Sequence, residues 1–238
     1  MGMLTASNAP VLPTLRASRL FGGLDEALLA DFSRATHRAR FARGDFLWHA
    51  GEHPTALTVI ASGLVKVCQP VRDGQSTIVG LFGPRESLGD MAVISDSNYP
   101  ADAQAISDTV DVLRVERRAV LEAMQRHPSV GMALNRSLVE HSTALRGKIH
   151  ILASGSVERR LVALLTHLAN RFGDELEDGF TGIPVVLSRT ELACLVGTTV
   201  ETTIRVMSRW QKAGLVDTTA EGFRIRSISA LESASSPD

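Results

Sequence analysis

The sequence predicts an α+β protein in which an N-terminal antiparallel β-roll of jelly-roll type is joined by a long helix to a C-terminal winged helix-turn-helix. Glycine interrupts the apolar segments of residues 36–116 at roughly the 8–12-residue spacing of a small β sandwich or barrel. Leucines then recur at a coiled-coil spacing, and two closely spaced helix starts precede two short strands. These observations divide the chain into residues 1–128, 129–153 and 154–238.

The composition is that of an ordinary globular protein. The chain has 238 residues, of which 44% are hydrophobic and 21% charged, so it can bury two cores. No apolar run approaches the roughly 20 residues that cross a bilayer, and the N-terminus does not resemble a signal peptide. We therefore predict a cytoplasmic protein without a membrane partner.

The sequence carries no recognisable catalytic or metal-binding motif. Cys68 and Cys194 are the two cysteines, and they cannot supply a structural zinc site or a four-cysteine iron–sulfur cluster. A phosphate-binding loop, a dinucleotide fingerprint and the common hydrolase motifs are also missing from the sequence. We predict a protein that is not an enzyme and has no metal site, with buried thiols. A redox role for Cys68 is the alternative.

Short strand-like segments fill the region of the predicted β-roll, with Asp73-Gly74 as a hairpin turn. Asp25 is placed to cap a helix that buries Leu28, Leu29 and Phe32, and residues 1–14 are predicted to be a loose arm. The segments expected to be strands are 46–48, 57–61, 64–69, 76–82, 101–106 and 110–115.

A long helix is predicted from Ser129 to about Leu152, after Pro128 ends the preceding one. One face has the 4-3-4-3-4 spacing of a coiled-coil seam, although a histidine and a lysine interrupt it. The seam would pair two copies of the chain; the alternative is a helix that packs on its own domain. Its members are Leu134, Leu138, His141, Leu145, Lys148 and Leu152. Residues 154–156 are predicted to form a hinge.

Two S/T-x-x-E capping boxes, beginning at Ser188 and Thr198, predict the two helices of a helix-turn-helix. Gly197 suits the turn between them, and Gly214 ends the second helix. Two short strands around Glu221-Gly222 would form the wing.

The second of these helices has two distinct faces at 100° per residue. The inward face holds Thr203, Val206, Met207, Trp210 and Ala213, and the outward face holds Glu201, Ile204, Arg205, Ser208 and Lys212. An arginine can bond guanine, a glutamate can accept from cytosine, and an apolar tip can contact the thymine methyl in a DNA major groove. The alternative is a solvated helix with an i,i+4 pair between Glu201 and Arg205.

Net charge does not by itself indicate a nucleic-acid partner. Residues 154–238 contain nine Lys/Arg and eleven Asp/Glu, a sum of −2, so a positive face must be local. The basic residues available for it are Arg189, Arg205, Arg209, Lys212, Arg224 and Arg226. We therefore expect modest non-specific affinity for DNA and a shallow salt dependence.

The segments VERRLVALLTHLANRF, SRTELACLVG and TVETTIRVMSRWQKAGLV, together with the β-roll and the leucine-bearing helix, resemble the CRP/FNR family of transcription regulators. The resemblance covers about residues 20–230. It implies a homodimer whose first domain senses a signal and whose last domain reads near-palindromic DNA with a G·C pair in each half-site, with RNA polymerase as a partner.

The resemblance also assigns roles to individual positions of the helix-turn-helix. It implies that Glu201 and Arg205 read bases and that Val200 and Ile204 tune the half-site. The predicted phosphate contacts are Arg189, Thr190, Thr199 and Arg209.

The predicted effector pocket departs from the cyclic-AMP-binding branch of that family. In GDMAVISDSNYPADAQA, Gly89 and Asp90, followed by Met91, stand at the glycine and glutamate of the phosphate cassette. Pro100 and Ala101 stand where an arginine and a serine would be. Without that guanidinium a cyclic phosphate loses its charge-assisted bond, so cyclic AMP is not the expected effector. An iron–sulfur cluster is not expected either, and haem stays open.

Two functions therefore remain at this stage. The first is a homodimeric, sequence-specific DNA-binding regulator, and the second is a haem- or metabolite-binding sensor that acts through protein contacts. DNA binding should weaken linearly with salt on a log–log plot, whereas a protein contact need not.

Overall fold

The computed structural model describes residues 10–70 and 76–235. The predicted Asp73-Gly74 turn lies outside them. The chain forms two compact units, Met1–Leu145 and Arg146–Asp238, and a long helix, Pro128–Ala153, contributes residues to both.

The first unit is an antiparallel β-roll, as predicted. One sheet has the order β1-β8-β3-β6 and the other β2-β7-β4-β5. The strands of the first sheet are β1 (Thr36–Ala42), β3 (Ala56–Ser62), β6 (Ser87–Leu88) and β8 (Thr109–Glu116). Those of the second are β2 (Phe46–Trp48), β4 (Val65–Pro70), β5 (Ser76–Phe82) and β7 (Asp102–Ala105).

Strand β8 buries apolar side chains on both of its faces, although Asp111 and Arg114 interrupt the apolar residues. Val110 and Val112 point into the cluster between the two sheets. Leu113 and Val115 point into a second cluster, where the first sheet meets the helices. Those helices are α1 (Val11–Ala17), α2 (Glu26–Arg34), α4 (Arg117–Arg126) and the start of α5 (Pro128–Ala153).

The first described residues are helical, which the sequence did not predict. Residues 11–14 of the predicted loose arm belong to α1, and the adjoining Leu15 is fully buried in the second cluster. The prediction for α2 is confirmed, because Asp25 accepts a hydrogen bond from the Leu28 amide at 2.9 Å and Phe32 is buried. A short helix, α3 (Asp90–Ser95), was not predicted.

Helix α5 begins by packing on its own domain, so the predicted seam is wrong at Leu134. That side chain is 3% exposed and belongs to the core cluster with Val130 and Ala133. It therefore has no surface to offer a second chain. A heptad spacing shows which residues share a helix face, but it cannot show which neighbour covers that face.

The exposed apolar side chains of α5 coincide only in part with the predicted seam, at Leu145 and Leu152. Its large exposed side chains are Met132, Val139, Leu145, Ile149 and Leu152. Leu138 is half-buried, while His141 turns toward Asp90 and Phe82 of its own domain. Lys148 is half-buried, and the neighbouring Ile149 is the exposed apolar residue. A stripe with 4-3-4-3 spacing runs through positions 138, 142, 145, 149 and 152, in which Ser142 is the one polar side chain and Leu138 is half-buried.

The second unit consists of helices around a small antiparallel sheet of order β11-β12-β10-β9. Its helices are α6 (Val157–Phe172), α7 (Arg189–Val196), α8 (Val200–Lys212) and α9 (Ile228–Ala234). Its strands are β9 (Asp174–Glu175), β10 (Thr181–Ile183), β11 (Val216–Thr219) and β12 (Gly222–Ile225). Helix α6 is amphipathic as predicted, with Leu161, Leu164, Leu165 and Leu168 buried. Among the described residues, no helix combines the length and the apolar character needed to cross a membrane.

Candidate nucleic-acid interface

Helix α7 starts at the predicted capping box. The Ser188 hydroxyl accepts from the Glu191 amide at 3.1 Å, and the Glu191 carboxylate accepts from the Ser188 amide at 2.9 Å. The helix ends at Gly197, whose φ of 63° is the left-handed conformation that favours glycine. Both boundaries predicted for this helix are therefore confirmed.

Helix α8 starts one residue later than predicted. Thr199 is the N-cap, and its Oγ1 accepts from the Thr202 amide at 3.2 Å. Thr198 belongs to the turn, where its amide donates to the Ala193 carbonyl at 3.0 Å. The capping box predicted for Thr198 and Glu201 is therefore wrong. Threonine is a good N-cap at either of the two adjacent positions, so the residue type does not decide between them. The Glu201 carboxylate does not fold back on the N-cap.

The two predicted faces of α8 are present in the structure. Thr203, Val206, Met207 and Trp210 are buried. Glu201, Ile204 and Arg205 are exposed, and Val200 is half-buried at the first position of the helix. The predicted inward residue Ala213 is instead exposed at the C-cap, where the helix leaves the core.

The predicted base-reading residues are available to a ligand. Ile204 is 47% exposed. In the described part of the chain, neither the Glu201 nor the Arg205 side chain makes a hydrogen bond or ion pair, so the alternative i,i+4 pair between these side chains is not formed. A carboxylate, an apolar tip and a guanidinium are thus presented together near the start of one helix.

The predicted phosphate contacts are less free. Arg189 donates from Nη2 to the Thr218 hydroxyl of β11 at 2.9 Å, and burial lowers the pKa of its guanidinium. Arg209 pairs with Glu158 of α6 at 2.6 Å, and this hydrogen bond raises the pKa of the Arg209 guanidinium. The Thr199 hydroxyl serves as the cap, whereas Thr190 is exposed. To contact a phosphate, Arg189, Arg209 and Thr199 would each have to share or exchange their present hydrogen-bond partner.

The wing is formed by β11 and β12, and its two arginines differ. Arg224 bonds the Asp178 carboxylate and lies over the Phe180 ring, 4.9 Å from the ring centroid. Arg226 is exposed at the end of β12. The acidic loop before β10 therefore neutralises one of the positive charges that the sequence assigned to the wing.

The predicted effector residue Asp90 is buried and bonded within its own domain. Asp90 is 1% exposed, and its carboxylate accepts from the Ser137 hydroxyl of α5 at 2.5 Å and from the Met91 amide at 3.0 Å. His141 Nδ1 lies 3.4 Å from the same carboxylate. The Asp90 carboxylate is thus partnered by α5, and its contact with an effector stays a prediction.

Ser137 and His141 were missed as partners of Asp90 at the sequence level. They lie one helical turn apart on the face of α5 that carries Val130 and Leu134. Polar side chains on a buried helix face require a partner, and that was the available signal.

Aromatic rings occupy the space beside Gly89. Trp48 and Tyr99 stack with centroids 4.3 Å apart, and a Cβ on Gly89 would lie 3.0 Å from Tyr99 Cε1. Tyr99 donates to the Ala56 carbonyl at 3.2 Å, and burial raises its pKa. Trp48 donates to the carbonyl of Ala101 at 3.1 Å.

The other predicted pocket residues differ in their exposure. Ala101 itself is buried, whereas Met91 and Pro100 are exposed. Cys68 is buried in β4 and Cys194 is half-buried in α7. Over residues 10–70 and 76–235, no group of three or more His, Cys, Asp or Glu side chains is placed to hold a metal ion.

The fold and the exposed face of α8 define a class of protein, a β-roll sensor joined to a DNA-binding winged helix-turn-helix. Residues 38–127 match the cyclic nucleotide-binding domain, and residues 159–234 match the Crp-like helix-turn-helix domain. The chain belongs to the CRP/FNR family of transcription regulators.

Individual relatives agree with this assignment. The CRP-like cAMP-activated global transcriptional regulator of Mycobacterium tuberculosis is 24% identical over 202 residues, 85% of this chain and 89% of that protein. The transcriptional activator protein anr of Pseudomonas aeruginosa is 26% identical over 192 residues, 80% of this chain and 76% of that one. The solved structure of FixK2 from Bradyrhizobium japonicum has a TM-score of 0.72 at 17% identity, and the match covers 85% of this chain and 98% of that one. This last likeness concerns the fold alone.

Proposed function

We propose that this protein is a homodimeric, cytoplasmic, sequence-specific DNA-binding regulator without catalytic activity. The observation that carries the proposal is the pair of unpartnered, exposed side chains Glu201 and Arg205, one turn apart on a helix whose other face is buried. Buried Val206 and Trp210 fix the orientation of that helix, so the exposed groups need little ordering when DNA binds.

The chemistry of α8 supports a specific half-site. Arg205 would bond the O6 and N7 of a guanine, and Glu201 would accept from a cytosine amino group, which requires a G·C pair in each half-site. Ile204 would contact a thymine methyl, and Val200 would tune the neighbouring step. Arg189, Thr190, Thr199 and Arg209 are the proposed phosphate contacts, with Thr190 exposed for this role.

Dimerisation is proposed through the exposed stripe of α5. Leu145, Ile149 and Leu152 are large apolar side chains in contact with water in the single chain, and a second copy of α5 would bury them. Two-fold pairing would present α8 twice, and the two helices must engage half-sites about 34 Å apart on DNA. RNA polymerase is the proposed protein partner at promoters.

Signalling is proposed to pass through the contact of the β-roll with α5. A signal that changes the bonds of Asp90 to Ser137 and His141 would shift the population of DNA-competent dimers. Cyclic AMP is not proposed as that signal, since Pro100 supplies no guanidinium and the rings of Trp48 and Tyr99 lie beside Gly89.

The test is DNA selection from a random pool, followed by binding of the selected site and a scrambled site by Arg205→Ala. We expect a loss of about 1–3 kcal/mol per half-site on the selected site and little change on the scrambled one. Lys212→Ala removes the same charge from the last turn of α8 and should weaken both sites equally. Wild-type discrimination by Arg205→Ala would refute the base-reading assignment. Wild-type protein that selects no sequence, or whose binding ignores salt, would refute DNA binding.

A further inference from the structure

Arg160 of α6 links that helix to the turn of the helix-turn-helix. Its Nη1 donates to the carbonyl of Val196 at 2.7 Å and to the carbonyl of Gly197 at 3.0 Å. These are the last residue of α7 and the turn glycine that follows it. The sequence alone did not indicate this contact, because 36 residues separate the donor from its first acceptor.

The carbonyls that Arg160 binds are those that a helix leaves unsatisfied at its C-terminus. A cation at this end is also favoured by the helix dipole. The Arg160 Nε is buried and has no hydrogen-bond partner within the described residues. An unsatisfied buried donor is unfavourable, and the two carbonyl bonds of Nη1 offset this cost. The position of the guanidinium is therefore specified by its two carbonyl partners.

The turn held in this way is short. Gly197 is followed by Thr198, whose amide closes the turn on the Ala193 carbonyl, and then by Thr199, the N-cap of α8. A Cβ on Gly197 would lie 3.5 Å from Arg160 Nη1, so the guanidinium packs directly against the turn backbone. A shift of these carbonyls would be passed to the first turn of α8, where Glu201 lies.

We propose that Arg160 is a positioning residue for DNA reading: by fixing the Val196–Gly197 carbonyls it sets the direction in which α8 leaves the turn. This inference rests on the proposed DNA-binding function. It predicts that loss of Arg160 impairs discrimination between sequences more than affinity for DNA in general, because base contacts demand a more exact placement than phosphate contacts do.

The test compares full-length Arg160→Met, Arg160→Lys and the control Arg159→Met with wild-type protein. Arg159 is the exposed neighbour on the same helix, and its substitution removes the same charge. The readouts are affinity for the selected and the scrambled site at one salt concentration, and amide hydrogen exchange at Thr198 and Thr202. We expect the selected-to-scrambled affinity ratio to fall about tenfold in Arg160→Met, the scale of one base contact. Both amides should exchange faster in that variant.

The conservative variant separates placement from simple loss of stability. Arg160→Lys keeps a charged donor that can reach a carbonyl, so it should recover most of the affinity ratio, while Arg159→Met should keep all of it. If Arg160→Met does not fold, Arg160→Lys must still show faster exchange at Thr198 than Arg159→Met does. Unchanged ratio and exchange in the folded Arg160 variants would overturn the inference. A wild-type protein that fails to discriminate would instead overturn the proposed function.

Discussion

At the scale of single residues, the carboxylate of Asp90 is buried in the β-roll and depends on hydrogen bonds from its neighbours. A carboxyl group that is 1% exposed must have hydrogen-bond partners, and the Ser137 hydroxyl and the Met91 amide supply them. The bond to Ser137 also ties the start of α3 to α5. Asp90 therefore serves the internal structure of the domain, in a position where the resemblance implied ligand contact.

Replacing this carboxylate should destabilise the first unit. Asp90→Ala leaves the Ser137 hydroxyl and the Met91 amide without their acceptor, so the free energy of unfolding should fall by about 1–3 kcal/mol. Asp108→Ala is the matched control, because the Asp108 side chain is 93% exposed in its pair with Arg43. Urea denaturation measures both variants. A midpoint for Asp90→Ala equal to that of the control would show that the network around Asp90 does not contribute to stability.

At the scale of the helix, local signals predicted boundaries well where one residue type fits one position. Asp25 and Ser188 each cap the helix they were expected to cap, and Gly197 ends α7. The local signals failed for α8, where Thr198 and Thr199 are both good caps and the turn geometry decides between them.

The seam of α5 and the contact of Arg160 show what local patterns cannot supply. Leu134 has the correct spacing for a coiled coil, yet the helices of its own domain cover it. Arg160 binds carbonyls, and carbonyls carry no side-chain identity that a sequence could reveal. The burial of Leu134 and the contact of Arg160 both depend on which helices pack together in the folded chain.

The capping box of α7 supports a further test at this scale. Ser188→Ala removes the acceptor of the Glu191 amide and should cost about 0.5–2 kcal/mol of unfolding free energy in the second unit. Ser208→Ala, on the exposed face of α8, should cost less than about 0.5 kcal/mol. Differential scanning calorimetry compares the two. Equal midpoints would mean that the cap adds nothing to the stability of the helix-turn-helix.

At the scale of the whole molecule, the net charge is −1, whereas a DNA-binding protein needs a positive face. Part of the positive charge of the second unit is neutralised, since Arg224 pairs with Asp178 and Arg209 with Glu158. The guanidinium of Arg205 on α8 then makes up a larger part of the unpaired positive charge that faces DNA. This distribution favours recognition through base edges over strong non-specific attraction, as the sequence also predicted.

The last prediction concerns assembly, on which reading a two-fold site depends. Leu145 is 51% exposed on α5, in the stripe proposed to pair two chains. A charge at that position would be buried without a partner in the dimer, so Leu145→Glu should raise the dimer dissociation constant at least tenfold. Leu176→Glu is the control, because Leu176 is also an exposed leucine, at 37%, but lies outside α5.

Sedimentation velocity over a concentration series measures the dimer dissociation constant. DNA binding of the same variants is then measured as a second readout. Leu145→Glu should bind a single half-site as wild-type protein does but lose the added affinity for the paired site, because that addition requires two linked α8 helices. If Leu145→Glu dimerises like wild-type protein, the stripe through positions 138, 142, 145, 149 and 152 is not the seam. If it becomes monomeric yet keeps full affinity for the paired site, reading of DNA does not need the two-fold arrangement.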